Sequence, residues 1–410
     1  MSSVLPEGSL PPTYVDGFHD LDAVKRMTYT RVGDTDMYFS KLGFGGAVAG
    51  GIYGDFETEE IVETIVDAVR QGINWIDTAA FYGWGRSEEI IGLALKRMPR
   101  QAYYISTKCC RYGRLSDKKS IFNFSYERVM KSIDESLEKL GIAYVDLYVI
   151  HDIEFAPSLD IVTRGALRAI KDVQKAGKTK LVGVSALPVR ILAEMVQRSI
   201  AAGMKIDFVL SYTRNVLFDT TLQEYLPAFE KQGVIVLNAS PLANGLLTSG
   251  VNIQEWHCAN LVPGLKKAAE EADAYCQSKG IDISRLAISF CVSTPGIPSH
   301  LNGIHSKEAL QKNLDAVLNP LSAEEKEVLQ HIRKEYVPLK LLLDQLSYSY
   351  HMEALKELNF RLTNGEQEEQ VQDRICFEVE QPSIILTVFT EAGWRDLIPK
   401  IFQGHGRTGC

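Results

Sequence analysis

Eight times between Lys41 and Leu318 the chain repeats one pattern: a short β-branched or aromatic run, then an amphipathic stretch of helical period. The runs are LGFGG, NWIDTA, AYYIST, VDLYVIH, KLVGVS, DFVLSY, VIVLNA and SHLNGI. The stretches include EEIVETIVDAVRQG, SYERVMKSIDESLEKLG and KEALQKNLDAVL. The seventh run is followed by a long segment from Leu261 to Gly280. Gly72, Gly141, Gly177, Gly203, Gly233 and Gly280 stand where helices should stop. Eight such repeats, with no domain interrupting them, predict an α/β fold in which a closed parallel sheet is ringed by helices, the (β/α)8 or TIM barrel. A doubly wound sheet uses fewer strands and opens on a glycine-rich phosphate turn. GFGG around Gly45 lacks the GxGxxG spacing and the acidic residue expected beyond the next strand.

The flanks divide the chain further. Residues 1–26 hold three prolines, four acidic residues and no clear period, which predicts a mobile arm. MTYTRV and MYFSKL lie either side of Gly33-Asp34, the pattern of a β-hairpin with N-terminal position in a barrel unit spanning 27–336. Residues 337–410 break the rhythm and are expected to form a C-terminal extension, with a helical stretch, a polar run and a short apolar run.

Composition excludes several classes. With 45% apolar residues the chain has ample core-forming material. A net charge of −8 and no basic stripe give it no general attraction for nucleic acid or anionic lipid. Seven scattered cysteines without a CxxC pair fit reduced thiols rather than a disulfide framework or zinc site. The N-terminus has no apolar signal core, and no apolar run reaches the ~20 residues that span a bilayer. A soluble, cytosolic protein without a membrane or nucleic-acid partner is expected, as a monomer or weak homo-oligomer.

In a barrel of this kind, side chains at the C-terminal strand ends converge on one mouth. The second barrel strand ends at Asp77, with Tyr82 just beyond in DTAAFYG; the third ends at Lys108 in ISTK, the fourth at His151 in YVIHD, the fifth at Ser185 in VGVSA. Singly, each has an ordinary explanation: Asp77 a cap, Tyr82 a rim aromatic, Lys108 a snorkelling surface lysine, His151 a hydrogen-bonded core histidine. Together they match one chemistry. Hydride transfer at a carbonyl carbon builds charge on oxygen, and a proton must meet it. A tyrosine can supply it if an ammonium lowers a pKa that is ~10 when free. A carboxylate holds the ammonium, and a histidine orients the substrate oxygen. No metal is required.

The order Asp77, Tyr82, Lys108, His151, set in WIDTAAFYG, STK and a strand-end His, resembles the catalytic tetrad of the aldo-keto reductases. The resemblance runs from about Met27 to Tyr336. LGFGGAVAGGIYG, TKCCRYG, HDIEF, NASPLANGLLT and EWH at Glu255–His257 look like that family's L-galactose dehydrogenase branch, which includes D-arabinose and related aldose dehydrogenases. It implies NAD or NADP as cofactor, NAD slightly favoured, and a small carbonyl or sugar substrate. It also implies cofactor contacts at Gly45 and Gly46, at Ser185 and Ser211 near the nicotinamide, at Ser240, Pro241, Leu242 and Gly245 along the pyrophosphate, and at Ser306, Lys307 and Asn313 around the adenosine end. Ala186, Ser211 and Ala239 stand where many relatives carry Asn, Gln and Tyr. Lys307 and Lys312 suit either a 2′-phosphate or plain solvent exposure. Cys110, where the branch usually has Gly, suits either a redox-sensitive thiol or inert filling. The expected function is aldose oxidation at the anomeric carbon to a lactone. Its alternatives are an NADPH-dependent carbonyl reductase and a non-catalytic barrel acting as a regulatory subunit.

Overall fold

The computed structural model describes residues 3–113, 121–250, 253 and 263–336. Its elements run in chain order as α1 (Leu21–Arg26), β1 (Tyr29–Arg31), β2 (Tyr38–Ser40), β3 (Leu42–Gly45), α2 (Thr58–Arg70), β4 (Trp75–Asp77), α3 (Arg86–Leu95), β5 (Tyr104–Cys109) and α4 (Tyr126–Leu140). There follow β6 (Val145–Ile150), α5 (Leu159–Val162), a π-helical turn (Thr163–Leu167) continuing into α6 (Arg168–Lys175), β7 (Thr179–Ala186), α7 (Val189–Ala201), β8 (Phe208–Tyr212) and α8 (Thr221–Lys231). The last are β9 (Ile235–Ala239), α9 (Pro263–Ser278), α10 (Ile283–Val292), β10 (His300–Gly303), α11 (Lys307–Leu318) and α12 (Ala323–Glu335).

Strands β3 to β10 form the expected closed parallel barrel, in the order β10-β3-β4-β5-β6-β7-β8-β9. Closure is made by β10, which pairs with β9 through His300 and Leu301 and with β3 along its whole length. Each of the eight runs marked in the sequence is one of these strands. They read as nearly continuous apolar runs because both faces are covered, one by the barrel interior and one by helices.

Helix α4 shows how the outer layer is specified. Ser125 caps its start by accepting from the Arg128 N–H at 3.3 Å, and Gly141 ends it at φ 68°. That left-handed turn favours glycine, so the chain leaves the helix there. Val129, Ile133 and Leu140 recur on one buried stripe. Burying each such side chain contributes ~1.5–3 kcal/mol, which fixes the helix's rotation against β5 and β6.

The hairpin β1–β2 forms antiparallel as expected, with Tyr29 opposite Ser40. Its Phe39 stacks on Trp75 at 4.9 Å and tilts against Tyr104 at 5.1 Å, at the beginnings of β4 and β5. The hairpin therefore closes the N-terminal end of the barrel and leaves the C-terminal end to the site.

Two regions differ from expectation. The described part of the N-terminal segment is not a loose arm. Val4 bridges to Thr30, the Leu5 N–H donates to Tyr29 O at 2.9 Å, and Thr13 is buried where Asn74 Nδ2 donates to its hydroxyl at 3.0 Å. Asp20 caps α1, whose Val24 is fully buried in the main core. Local composition shows the prolines and acids but not these scattered docking points. The second difference is α10, an uncounted helix between α9 and β10. Its sequence, ISRLAISFCV, is apolar almost all round, so it carries no clear period; it packs against α11 and joins α9 and α12 in a second apolar cluster.

The expected extension from residue 337 lies outside the described residues. Among the described residues, the eight barrel strands close on themselves and three apolar clusters pack against them without any residue beyond Tyr336. A chain ending at Tyr336 should therefore express as a soluble protein with a cooperative thermal transition. Aggregation of that truncated chain, or a broad non-cooperative melt by circular dichroism, would show that the core needs residues beyond it.

Candidate active site

Asp77, Lys108, His151 and Ser185 sit at or just past the C-terminal ends of β4, β5, β6 and β7, so parallel topology alone delivers them to one mouth. Tyr82 arrives differently, in a tight turn from Tyr82 to Gly85. Gly83 in that turn has φ 60°, and a Cβ there would lie 2.3 Å from Gly50 O. This close approach presses the tyrosine turn against the loop after β3.

The tetrad is assembled. Lys108 is 2% exposed, and its Nζ donates to Asp77 Oδ2, to Thr78 O at 2.9 Å and to Tyr82 Oη at 3.0 Å. All three ammonium hydrogens are thus used. Asp77 is oriented in turn by Ser106, whose hydroxyl donates to Oδ1 at 2.7 Å, and Ser106 accepts from Trp75 Nε1 at 2.9 Å. The rings of Tyr82 and His151 meet edge to face at 5.8 Å.

Electrostatics follow from burial. Desolvation works against the Lys108 ammonium, but Asp77 and Tyr82 beside it outweigh that, and its pKa lies above the usual lysine value. Against expectation, the phenol of Tyr82 lies above its ordinary value: burial pushes it up, and Lys108 pulling down does not compensate, with Asp77 adding a further upward push. Tyr82 is a protonated acid at neutral pH, restrained by one adjacent cation. His151 is driven down to about 3 by burial, opposed by Asp152, so its ring is neutral. Its Nδ1 is buried with no hydrogen-bond partner among the described residues. A bare lone pair is cheaper there than an unpaired N–H, which puts the ring proton on Nε2.

A second group adjoins the tetrad, whose members the sequence offered only as unassigned parts of the motifs TKCCRYG and HDIEF. Arg111 Nη1 donates to Asp152 Oδ2 at 2.6 Å, and the guanidinium lies 3.6 Å from the centre of the Phe81 ring. Asp152 has φ 52°, and its N–H donates to Ser185 Oγ at 3.2 Å. Glu154 accepts from the Leu187 N–H at 2.9 Å and is pushed up to about 8 by burial and by Asp152. Arg111 follows the third strand by two residues, a position that period and composition do not mark.

The residues expected around a cofactor divide in two. Ser211, at the C-terminal end of β8, has a buried hydroxyl with no partner among the described residues, which fits a ligand amide or carbonyl. Ser240 to Gly245, including Pro241 and Leu242, form a tight turn with left-handed backbone at Ser240, Ala243, Asn244 and Gly245. Turns of this kind gather N–H groups suited to anions. Gly45 ends β3 and Gly46 begins the 3-10 turn that follows; a Cβ on Gly46 would lie 2.5 Å from Asp77 O. Ser306 caps α11 by accepting from the Ala309 N–H. Asn313 points inward, accepting from Asn302 Nδ2 at 2.5 Å and donating to Ala309 O at 2.6 Å. Lys307 is held by Glu63 at 2.7 Å and Asp67 at 3.2 Å, and Lys312 by Glu308 at 2.9 Å. Cys110 is fully buried and its thiol is pushed well up by burial, which favours inert filling. Glu255–His257 lie outside the described residues.

The barrel, the hairpin floor and the four residues at the mouth define the class. The chain belongs to the aldo/keto reductase family, whose profile matches residues 41–334. Members of that family are oxidoreductases that use NAD(P)H. Among curated proteins it is similar to the L-galactose dehydrogenase of Arabidopsis thaliana, 39% identical over 76% of this chain and 95% of that protein. It is also similar to the D-arabinose 1-dehydrogenase of Saccharomyces cerevisiae, 32% identical over 72% of this chain and 90% of the other. Among solved structures, an aldo-keto reductase from Bacillus halodurans in its holo form has the same fold, with a TM-score of 0.58 and 23% identity over 75% of this chain and 96% of that one.

His151 shares its low pKa with His300, which burial also drives to about 3. Between pH 3 and 6.5 the unfolded chain holds more protons at these rings than the folded one, so stability rises with pH across that window and is lost as pH falls through it. Each ring should cost about 2 kcal/mol of stability on going from pH 7 to pH 5. Urea melts at both pH values should show His300→Gln reducing the pH-dependent loss by that amount. An unchanged difference would mean that His300 is charged in the folded chain.

Proposed function

We propose that this chain is an NAD(P)-dependent aldose dehydrogenase that oxidises the anomeric hydroxyl of a free sugar to a lactone. The observation that carries the reading is the contact of Lys108 with both Tyr82 and Asp77, opposite a neutral His151. A bound nicotinamide dinucleotide supplies the hydride acceptor or donor. Ser211, with Ser185 beside it on the neighbouring strand, would hold the nicotinamide end, and the Ser240–Gly245 turn the pyrophosphate.

The protein's own groups handle the proton and the oxygen. In the oxidative direction Tyr82 must first give up its own proton to solvent, leaving a tyrosinate that Lys108 stabilises; as hydride leaves the anomeric carbon, the hydroxyl proton then passes to the Tyr82 oxygen. His151 Nε2–H donates to the reacting oxygen and orients it. In the reverse direction Tyr82 returns the proton. The protonated state of Tyr82 in the free chain favours a second reading, reduction of aldehydes or ketones, because the acid is already loaded. The sugar reading is preferred for the similarity to aldose dehydrogenases and for the polar groups of HDIEF beside His151. A non-catalytic role is disfavoured by the complete tetrad. Lys307 already neutralised by two carboxylates favours NAD over a cofactor bearing a 2′-phosphate.

Tyr82→Phe keeps the ring and removes the proton, so turnover should fall by ~10² to 10⁴ while dinucleotide binding, followed by fluorescence titration, holds. Lys108→Met should lose a similar amount. Near wild-type kcat in either variant removes the tetrad assignment. L-galactose, L-fucose and D-arabinose are the first substrates to assay, with NAD and NADP in parallel. Readily turned-over aromatic aldehydes or steroids with NADPH, and no lactone from the sugars, would put the carbonyl reductase in its place. A strong NADPH preference abolished by Lys307→Ala would overturn the cofactor assignment.

A further inference from the structure

The tetrad needs one acid, one cation, one carboxylate and one histidine, yet Arg111, Asp152 and Glu154 lie beside it as further chargeable groups. Asp152 and Glu154 are 2% and 4% exposed, while the Arg111 side chain retains 28% exposure and so remains accessible. Arg111 is rigidly placed: Asp152 holds one terminal nitrogen, Phe81 covers one face, and the rings of Phe122 and Phe155 lie 5.5 and 6.0 Å away. Phe81 precedes the acid Tyr82 and meets the His151 ring at 6.4 Å, and Asp152 Oδ1 lies 3.4 Å from His151 Nε2. The group therefore adjoins the place where the reacting oxygen would sit. It is not saturated: Arg111 Nε and Glu154 Oε2 have no hydrogen-bond partner among the described residues. Buried polar atoms are rarely left unpaired without a ligand or water to serve them.

We propose that Arg111, Asp152 and Glu154 form a subsite that binds the hydroxyl groups next to the reacting carbon, and that its internal neutralisation selects neutral hydroxylated substrates over anionic ones. Arg111 supplies donors and Asp152 an acceptor, the pair that a vicinal diol needs. The Arg111 charge is cancelled by Asp152, and Glu154, pushed up to about 8, adds no full charge at neutral pH. A carboxylate or phosphate on the substrate would meet no net positive charge here and would face Asp152. This deepens the aldose reading and rests on it.

The test compares three-carbon aldehydes under reducing conditions with NADH and NADPH: glyceraldehyde, with two hydroxyls, propanal, with none, and glyceraldehyde 3-phosphate. The wild type should prefer glyceraldehyde to propanal in kcat/KM by about tenfold or more, the usual scale for hydrogen bonds to charged groups. Arg111→Met combined with Asp152→Asn removes both charges together and leaves none stranded; it should erase most of that preference, chiefly through KM. Asp152→Asn alone leaves Arg111 unneutralised and should raise the phosphorylated substrate relative to glyceraldehyde by about tenfold. A merely structural role would lower all three substrates alike, and matching circular dichroism melts identify misfolded variants. A folded double variant that keeps the hydroxyl preference, or a folded Asp152→Asn without the anionic gain, overturns the subsite. Wild-type turnover of both aldehydes without preference overturns it too and leaves the enzymatic reading intact, whereas no turnover of any aldehyde with either cofactor, together with no lactone from L-galactose, L-fucose or D-arabinose, overturns both.

Discussion

Everything in this molecule depends on the seam where β10 joins β3. Four register pairs, from His300–Leu42 to Gly303–Gly45, turn an open parallel sheet into a closed barrel. A parallel sheet satisfies its backbone only between neighbours, and closure removes both exposed edges. The parallel pairing throughout brings all eight strands to end on the same side. Residues that are 31 and 26 positions from Lys108 in sequence, Asp77 and Tyr82, thereby become its hydrogen-bond partners.

Within that frame the buried Lys108–Asp77 pair is the dominant local interaction. Removing one member of such a pair typically costs ~3–5 kcal/mol, because the other charge is left dry and unpaired. Burial raises the Asp77 pKa, and Lys108 and Ser106 oppose it through hydrogen bonds: Thr78 O and Tyr82 Oη take the rest of the ammonium, and the Ser106 hydroxyl donates to the second carboxylate oxygen. Stability and chemistry are coupled here. The same ammonium that opposes burial at Asp77 is, among the described residues, the one cation hydrogen-bonded to Tyr82, and burial sets the tyrosine's protonation against it. On the other flank, Arg111 and Asp152 repeat the device with a longer reach and an accessible face, which is what a binding subsite requires.

That four candidate residues would meet at one mouth was legible because parallel strands present their C-terminal residues by rule. Once eight runs are found, Asp77, Lys108 and His151 are named by position, and Tyr82 by its short offset from Asp77. The Arg111–Asp152 pair was not legible, since it joins loops after two different strands and depends on the left-handed backbone at Asp152. The partners of Lys307 were hidden for the same reason: Glu63 and Asp67 are more than two hundred residues away and meet it only because α2 and α11 become neighbours when the barrel closes. Nor does sequence show that burial outweighs Lys108 at Tyr82, because desolvation belongs to the finished cavity.

By itself, the sequence determined the eight-fold alternation, the helix ends, the hairpin and the strand-end positions that bring Asp77, Tyr82, Lys108 and His151 to one mouth, since each is written in local period or in a fixed offset from a strand end. Only the tertiary structure decided the docking of the N-terminal segment, the place of α10, the inward turn of Asn313 and the paired state of the charges at the mouth. Those depend on contacts between distant segments, on whether water is excluded and on which neighbour reaches a polar atom first. None of these is a property of any stretch of chain taken alone.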